Sequence, residues 1–106
     1  MYYVQKTLEI SACHQLTLDY DSKCTCLHGH NWIITIYCKS KTLNSNGMVV
    51  DFTEIKQLDH ANLNERLPFN PTAENIARWC TEQVPQWYKA MVQESTGNIA
   101  IYEEDE

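Results

Sequence analysis

The sequence predicts an α+β domain in which helices cover one face of an antiparallel sheet, and three observations point there. The first dozen residues alternate apolar and polar, a central stretch carries apolar residues at helical spacing behind a proline, and the C-terminal third reads as a hairpin.

Between Tyr2 and His14, the residues Val4, Leu8, Ile10, Ala12 and His14 share one face, with Gln5, Thr7, Glu9 and Ser11 on the other. That is the period of a half-buried strand, and it puts His14 in phase with the apolar side. Asp19-Tyr20-Asp21-Ser22-Lys23 reads as an exposed loop. A second strand runs from about His28 to Lys39, rich in the Ile, Thr, Tyr and Trp that suit a pleated surface. Asn44-Ser45-Asn46-Gly47 is a turn, Met48-Val49-Val50 a short apolar run, and Asp51 to Lys56 the start of a short helix. The clearest helix begins near Asn70-Pro71-Thr72, where proline suits the first helical position and Asn70 or Thr72 can cap the free amides. Its apolar stripe is Ile76, Ala77, Cys80 and Val84, and Pro85 stops it. Met91–Glu94 and Ile99–Tyr102 flank Ser95-Thr96-Gly97-Asn98 as a closing hairpin. Four antiparallel strands are therefore expected.

A chain of 106 residues has room for one domain, residues 1–106, and for a modest core that metal or oligomerisation would reinforce. No stretch approaches the ~20 apolar residues of a membrane span, and Met1–Lys6 lacks the order of a signal peptide. A cytoplasmic protein with no membrane partner is expected. Glu103–Glu106 supplies four of the charges behind a net charge of -6 and reads as a solvated tail. Scattered Lys and Arg leave no stripe for a nucleic acid. The five cysteines, an odd number, argue against a disulfide framework. Cys13, Cys38 and Cys80 sit among apolar residues as packed thiols, whereas Cys24 and Cys26 lie just ahead of a histidine pair.

That stretch, Cys24-Thr25-Cys26-Leu27-His28-Gly29-His30, carries the chemistry. In a strand His28 and His30 point to one side, about 7 Å apart along the chain. Two imidazoles so placed can converge on an ion at ~2.0–2.1 Å. Gly29 leaves space for another backbone or a ligand. His14, at the inward end of the neighbouring strand, offers a third nitrogen, and three histidines leave the fourth position open, as in a catalytic zinc. Two other readings stand beside this one: histidines satisfied without metal, and a structural zinc on Cys24, Cys26, His28 and His30. An extended chain spreads those last four over ~20 Å, too far for one ion unless a tight loop at Cys24–Cys26 gathers them.

Five motifs follow in order: Ser11-Ala12-Cys13-His14, the Cys24–His30 stretch, Leu58-Asp59-His60-Ala61-Asn62-Leu63-Asn64, Pro71-Thr72-Ala73-Glu74-Asn75, and Gln93-Glu94 with Gly97-Asn98-Ile99-Ala100-Ile101-Tyr102. Each is weak alone. Together, across nearly the whole chain, they resemble the 6-pyruvoyltetrahydropterin synthase / 6-carboxytetrahydropterin synthase family. The resemblance implies the tunnelling fold (T-fold), in which sheets of several subunits join into a barrel with active sites between subunits. A homo-oligomer follows, a hexamer or a ring built on trimers. It also implies Zn2+ on His14, His28 and His30. In the carboxy branch the catalytic thiol stands three residues ahead of His-Gly-His, which selects Cys24; the longer gap of the animal-type pyruvoyl synthases would fall on Ser22.

The implied activity is that of the queuosine branch, a lyase converting 7,8-dihydroneopterin triphosphate to 6-carboxy-5,6,7,8-tetrahydropterin, acetaldehyde and triphosphate. A pyruvoyl-type synthase and a non-catalytic zinc- or pterin-binding module are the alternatives. Zinc on the substrate's hydroxyls acidifies them and the adjacent carbon. A thiolate at Cys24, favoured beside a cation, takes a proton from that carbon. Asp59 and His60 match the family's acid–base pair, and Glu94 its pterin anchor, accepting two hydrogen bonds from a guanidine-like edge. Thr72 and Glu74 match a motif near the same pocket, although with Asn70 they equally explain a helix start. The chain departs from the family between Phe52 and Leu58, where Thr53-Glu54-Ile55-Lys56-Gln57 replaces a longer helix with under two turns. A shift of Asp59 and His60 by ~1 Å would already cost about a hundredfold in rate.

Overall fold

Alternation leaves one side of each strand to escape water, and in this fold that side meets a helix. The computed structural model describes residues 1–50 and 53–105. Five strands, β1 (Tyr2–His14), β2 (His28–Ser40), β3 (Ala61–Asn62), β4 (Trp87–Ser95) and β5 (Asn98–Glu103), form one sheet in the order β3-β1-β2-β4-β5. β1 and β2 pair antiparallel throughout, from Tyr2 opposite Ser40 to His14 opposite His28. β2–β4 and β4–β5 are also antiparallel. A short α1 (Leu63–Arg66) precedes α2 (Ala73–Gln83), which packs on β4 and β5.

The buried face follows the period of two. Trp32, Ile34, Ile36 and Cys38 of β2 are fully buried beside Ala90 and Val92 of β4, against Ile76 and Cys80 of α2. Trp32 Nε1 donates to the Ala12 carbonyl at 3.1 Å, so the largest core side chain also satisfies its polar end. The cap of α2 is Thr72, whose hydroxyl accepts the Asn75 N–H at 3.1 Å. Pro71 therefore stands ahead of the cap instead of at the first helical position, which Ala73 takes.

The sheet is five-stranded and mixed, which corrects the expectation of four antiparallel strands. β3 runs parallel to β1, Ala12 opposite Ala61 and Cys13 opposite Asn62. Two residues carry no periodicity to read; backbone pairing holds them. The His60 N–H donates to the Ser11 carbonyl at 2.6 Å, and the Ser11 N–H donates to Asp59 Oδ1 at 2.9 Å. The short helix expected from Asp51 is a 3₁₀ turn over Thr53–Leu58; Asp51 and Phe52 lie outside the described residues.

Two asparagines fix the chain as it leaves His14. Asn64 exchanges hydrogen bonds of 2.7 and 2.8 Å with the Gln15 backbone, and Asn70 does the same with Thr17 at 2.9 and 3.0 Å. Each side-chain amide stands in for a strand partner. No helix among the described residues is long and apolar enough to cross a membrane.

Candidate metal and active site

His14, His28 and His30 come together on the helix side of the sheet. Their rings lie 4.5 to 5.1 Å apart between centroids, edge to face. His14 Nδ1 lies 2.7 Å from the Pro71 carbonyl, and His28 Nδ1 lies 2.7 Å from the Cys26 carbonyl. A carbonyl only accepts, so each ring carries a proton on Nδ1, and in the neutral imidazole Nε2 then presents a lone pair. Those two Nε2 atoms face each other at 3.0 Å, a distance that requires a proton or a cation shared between them. With both rings neutral, two acceptors at that distance repel unless a cation sits between them. Two ligands of one tetrahedral ion at ~2.0–2.1 Å are about 3.3 Å apart, close to what the rings already show.

Glu94 joins them. One ligand atom from each of His14, His28, His30 and Glu94 lies within 4.8 Å of the others, so the four could hold a metal ion. Glu94 gets there through a β-bulge: Gln93 pairs with Ile99 and Ser95 with Asn98, leaving Glu94 unmatched on β4. Its Oε1 lies 3.1 Å from His30 Nε2. That nitrogen is buried and forms no hydrogen bond, the carboxylate lying off the N–H direction in spite of the short distance. Burial holds the His14 imidazole below its usual range against the opposing pull of the Pro71 carbonyl and Glu94, and burial does the same to His30 against Glu94.

Cys24 sits on a 3₁₀ turn, Lys23–Thr25, capped by the Ser22 hydroxyl accepting the Cys24 N–H at 3.2 Å. It lines a recess of about 530 Å3 with Glu74, Glu94, Asn98 and Ile99, at the start of α2. A volume of that order suits a small organic ligand. Cys24 and Cys26 are absent from the convergent metal-ligand group among the described residues, which disfavours the four-ligand Cys/His arrangement. Thr72 spends its hydroxyl on the helix cap, whereas Glu74 faces the recess.

Asp59 and His60 do not line the recess that holds Cys24. They are together, Asp59 Oδ2 lying 3.7 Å from His60 Nε2, but the imidazole is 82% exposed. His60 lines a second recess with Ser11, Cys13, Gly29, Asn31 and His30, so this recess borders the histidine cluster from its other side. Its φ of 57° is left-handed, a conformation that a histidine adopts at a cost and that turns the ring outward. A Cβ on Gly29 would meet only the Ala12 carbonyl, at 3.9 Å, so this glycine answers to the open recess more than to close backbone packing. Cys13 also borders that recess, half-buried, and is thus less enclosed than Cys38 and Cys80. The membership of Glu94 in the histidine cluster had no sequence signal, because the bulge that aims it is a property of pairing.

Comparison with known proteins shows the family and the fold. The sequence model of the family described as 6-pyruvoyl tetrahydropterin synthase matches residues 3–105. A 6-carboxy-5,6,7,8-tetrahydropterin synthase from Synechocystis sp. is 32% identical over 121 aligned residues, covering 96% of this chain and 93% of the relative. Those 121 positions exceed the 106 residues of this chain, so the alignment opens gaps in it. The Bacillus subtilis protein of the same name is 26% identical and covers 88% of this chain. The structure of Caenorhabditis elegans 6-pyruvoyl tetrahydropterin synthase superposes with a TM-score of 0.71 at 25% identity, covering 98% of this chain and 96% of that one.

Proposed function

The chain belongs to the 6-pyruvoyl tetrahydropterin synthase family, and we propose that within it the protein is a zinc-dependent 6-carboxytetrahydropterin synthase. One observation carries the reading: Cys24, Glu74 and Glu94 line a single recess, and Glu94 also reaches the three histidines. A thiol base, a carboxylate for the pterin and a metal site are thus neighbours in one pocket.

Three imidazoles with Nε2 lone pairs suit zinc, and His14, His28 and His30 are the residues that would hold it. Bound there, zinc would supply Lewis acidity toward the hydroxyls of the substrate's side chain. Glu94 accepts the paired N–H groups of the pterin edge and so fixes the ring. Cys24, on a turn held by Ser22, removes the proton from the side-chain carbon beside those hydroxyls. Asp59 orients the His60 imidazole for return of protons to the product. The substrate is 7,8-dihydroneopterin triphosphate and the products are 6-carboxy-5,6,7,8-tetrahydropterin, acetaldehyde and triphosphate, a step in queuosine synthesis.

His60 and Cys24 border separate recesses, which supports a site shared between copies, one giving Cys24 and another giving His60. The fold has edges for such an assembly. β1 is paired by β3 only at Ala12 and Cys13, and β5 exposes Ile99 and Ile101 at the far edge. A ring of three, or two such rings, satisfies both edges. Residues 1–106 act as one domain in it, in the cytoplasm, without nucleic acid or membrane.

Zinc-loaded protein incubated with dihydroneopterin triphosphate should release acetaldehyde. Absence of acetaldehyde, with a different pterin product formed, would identify a 6-pyruvoyl-type synthase instead. A non-catalytic binding module is the second reading, favoured by the gaps that alignment opens in this chain. It requires stoichiometric pterin and zinc binding without turnover, and a Cys24→Ala variant indistinguishable from the parent.

A further inference from the structure

The geometry points to Glu94 as a fourth ligand of the ion on His14, His28 and His30, closing in the free protein the position that substrate must take. The inference rests on the metal reading above and adds a resting state to it. The first support is directional. A protonated nitrogen 3.1 Å from a carboxylate turns its N–H onto the oxygen, yet His30 Nε2 makes no hydrogen bond to Glu94 Oε1. Two acceptors aimed past each other at a common third point produce this arrangement, and the third point lies where His14 Nε2 and His28 Nε2 also converge.

The second support is charge. His30 is the one ion-pair partner of the Glu94 carboxylate among the described residues, and the groups around it are three imidazoles, two of them holding an Nδ1 proton against a backbone carbonyl. Both side chains are about four-fifths buried, 19% and 21% exposed. A carboxylate so far removed from water is costly, and a divalent cation between it and the imidazoles removes the cost. The third support is placement. The bulge at Glu94 interrupts β4 beyond its last pairing with β2, Ile33 opposite Gln93, so the side chain turns toward His30 without disturbing the ladder.

The consequence is a switch between two partners. A carboxylate on the ion lowers its net charge and hence its pull on hydroxyl oxygen. A pterin edge, offering two N–H donors in the recess that Glu94 also lines, competes for the same oxygens. A seated ring would thus hold Glu94 by its N–H groups and leave His14, His28 and His30 as the residues that would hold the ion, with a position open toward the substrate's side-chain hydroxyls. The site becomes a strong Lewis acid only once a pterin is seated.

Cobalt(II) in place of zinc reports this without turnover. Wild-type protein should bind one Co2+ per chain, with X-ray absorption requiring a carboxylate oxygen beside three imidazoles. Glu94→Gln should still bind Co2+, about tenfold or more weakly, since loss of even an outer-shell partner costs that much, and should show a changed visible spectrum. Unsubstituted pterin, which has no side-chain hydroxyls, should shift the wild-type spectrum toward that of Glu94→Gln. Equal affinities and spectra for wild type and Glu94→Gln, or absorption data without the carboxylate, would overturn the inference and leave the three-histidine site intact. Failure of the wild type to bind Co2+ would overturn both it and the metal reading.

Discussion

Cys24 and His60 border different recesses of one chain, Cys24 beside Glu74 and Glu94 at the start of α2, His60 beside Ser11 and Asn31 at the edge of β1. Neither recess alone holds Cys24, Glu94 and His60 together. The separation is set by backbone hydrogen bonds, since His60 and Asp59 are tied to both sides of the Ser11 peptide.

Complementation between inactive variants follows from that geometry. Homo-oligomers of Cys24→Ala and of His60→Ala should each lose acetaldehyde formation. After unfolding and refolding together, random assembly gives on the order of a quarter of the two-chain sites an intact Cys24 and an intact His60. Recovery of about that fraction of wild-type activity is expected in the mixture. No recovery, with mixed oligomers demonstrated by native mass spectrometry, would place the whole reaction in one chain.

Thr72 and Glu74 separate into different jobs. The Thr72 hydroxyl is committed to the Asn75 N–H, so Thr72→Ala should cost ~1 kcal/mol of stability and leave the KM for the pterin unchanged. Glu74 is exposed to the recess that holds Cys24 and Glu94, so Glu74→Gln should raise KM with little change in the unfolding midpoint. A Thr72→Ala variant that loses substrate affinity at unaltered stability would reverse the assignment.

The legibility of the chain divides along the same lines. β1 and β2 were readable because alternation runs uninterrupted through Ile10, Ala12 and His14 and through Trp32, Ile34 and Ile36, and each of those side chains is buried as its phase requires. The period that placed Ile10 also placed His14, so the histidine cluster was legible for the same reason as the core. β3 was not, because Ala61 and Asn62 are two residues whose strand character comes wholly from the neighbouring Ser11–Cys13 edge. Glu94 was legible as a charged strand residue but not as a neighbour of His30, because a bulge arises from pairing between β4 and β5 and leaves no mark on composition. Asp59 and His60 were recognisable as a motif, while their distance from Cys24 depends on the tertiary path of the turn over Thr53–Leu58.

The five thiols should divide on alkylation. Burial pushes the Cys38 and Cys80 thiols up to about 12, and both side chains are fully buried, so neither offers thiolate at neutral pH. Cys26 is exposed, and Cys24 and Cys13 are half-buried at the rims of recesses. Iodoacetamide on folded protein should label at most Cys13, Cys24 and Cys26, with Cys38 and Cys80 labelled only after denaturant is added. Mass mapping that finds Cys80 modified in the folded chain would contradict the packing of α2 on the sheet.

Acid should destabilise the metal-free protein in a definite window. His14 and His30 are held below the ordinary imidazole value of 6.5, chiefly by burial, so in the folded chain they remain neutral where the unfolded chain already protonates. The unfolded state then binds more protons, and stability falls as pH drops from about 6.5 toward the lowered folded values. Above 6.5 both states are neutral at these positions and their contribution is flat. The groups facing them set the size of the effect: the Pro71 carbonyl and Glu94 favour the charged form of His14, and Glu94 that of His30, while desolvation and His28 oppose it. Urea midpoints of chelator-treated protein should therefore decrease between pH 7 and 5.5, and His30→Gln should flatten the decrease by removing one of the two titrating groups. Removing the opposing carboxylate with Glu94→Gln should steepen it, because the folded imidazoles become harder still to protonate. A midpoint that rises on acidification would mean that the folded cluster takes up protons more readily than the unfolded chain, the reverse of what its burial requires.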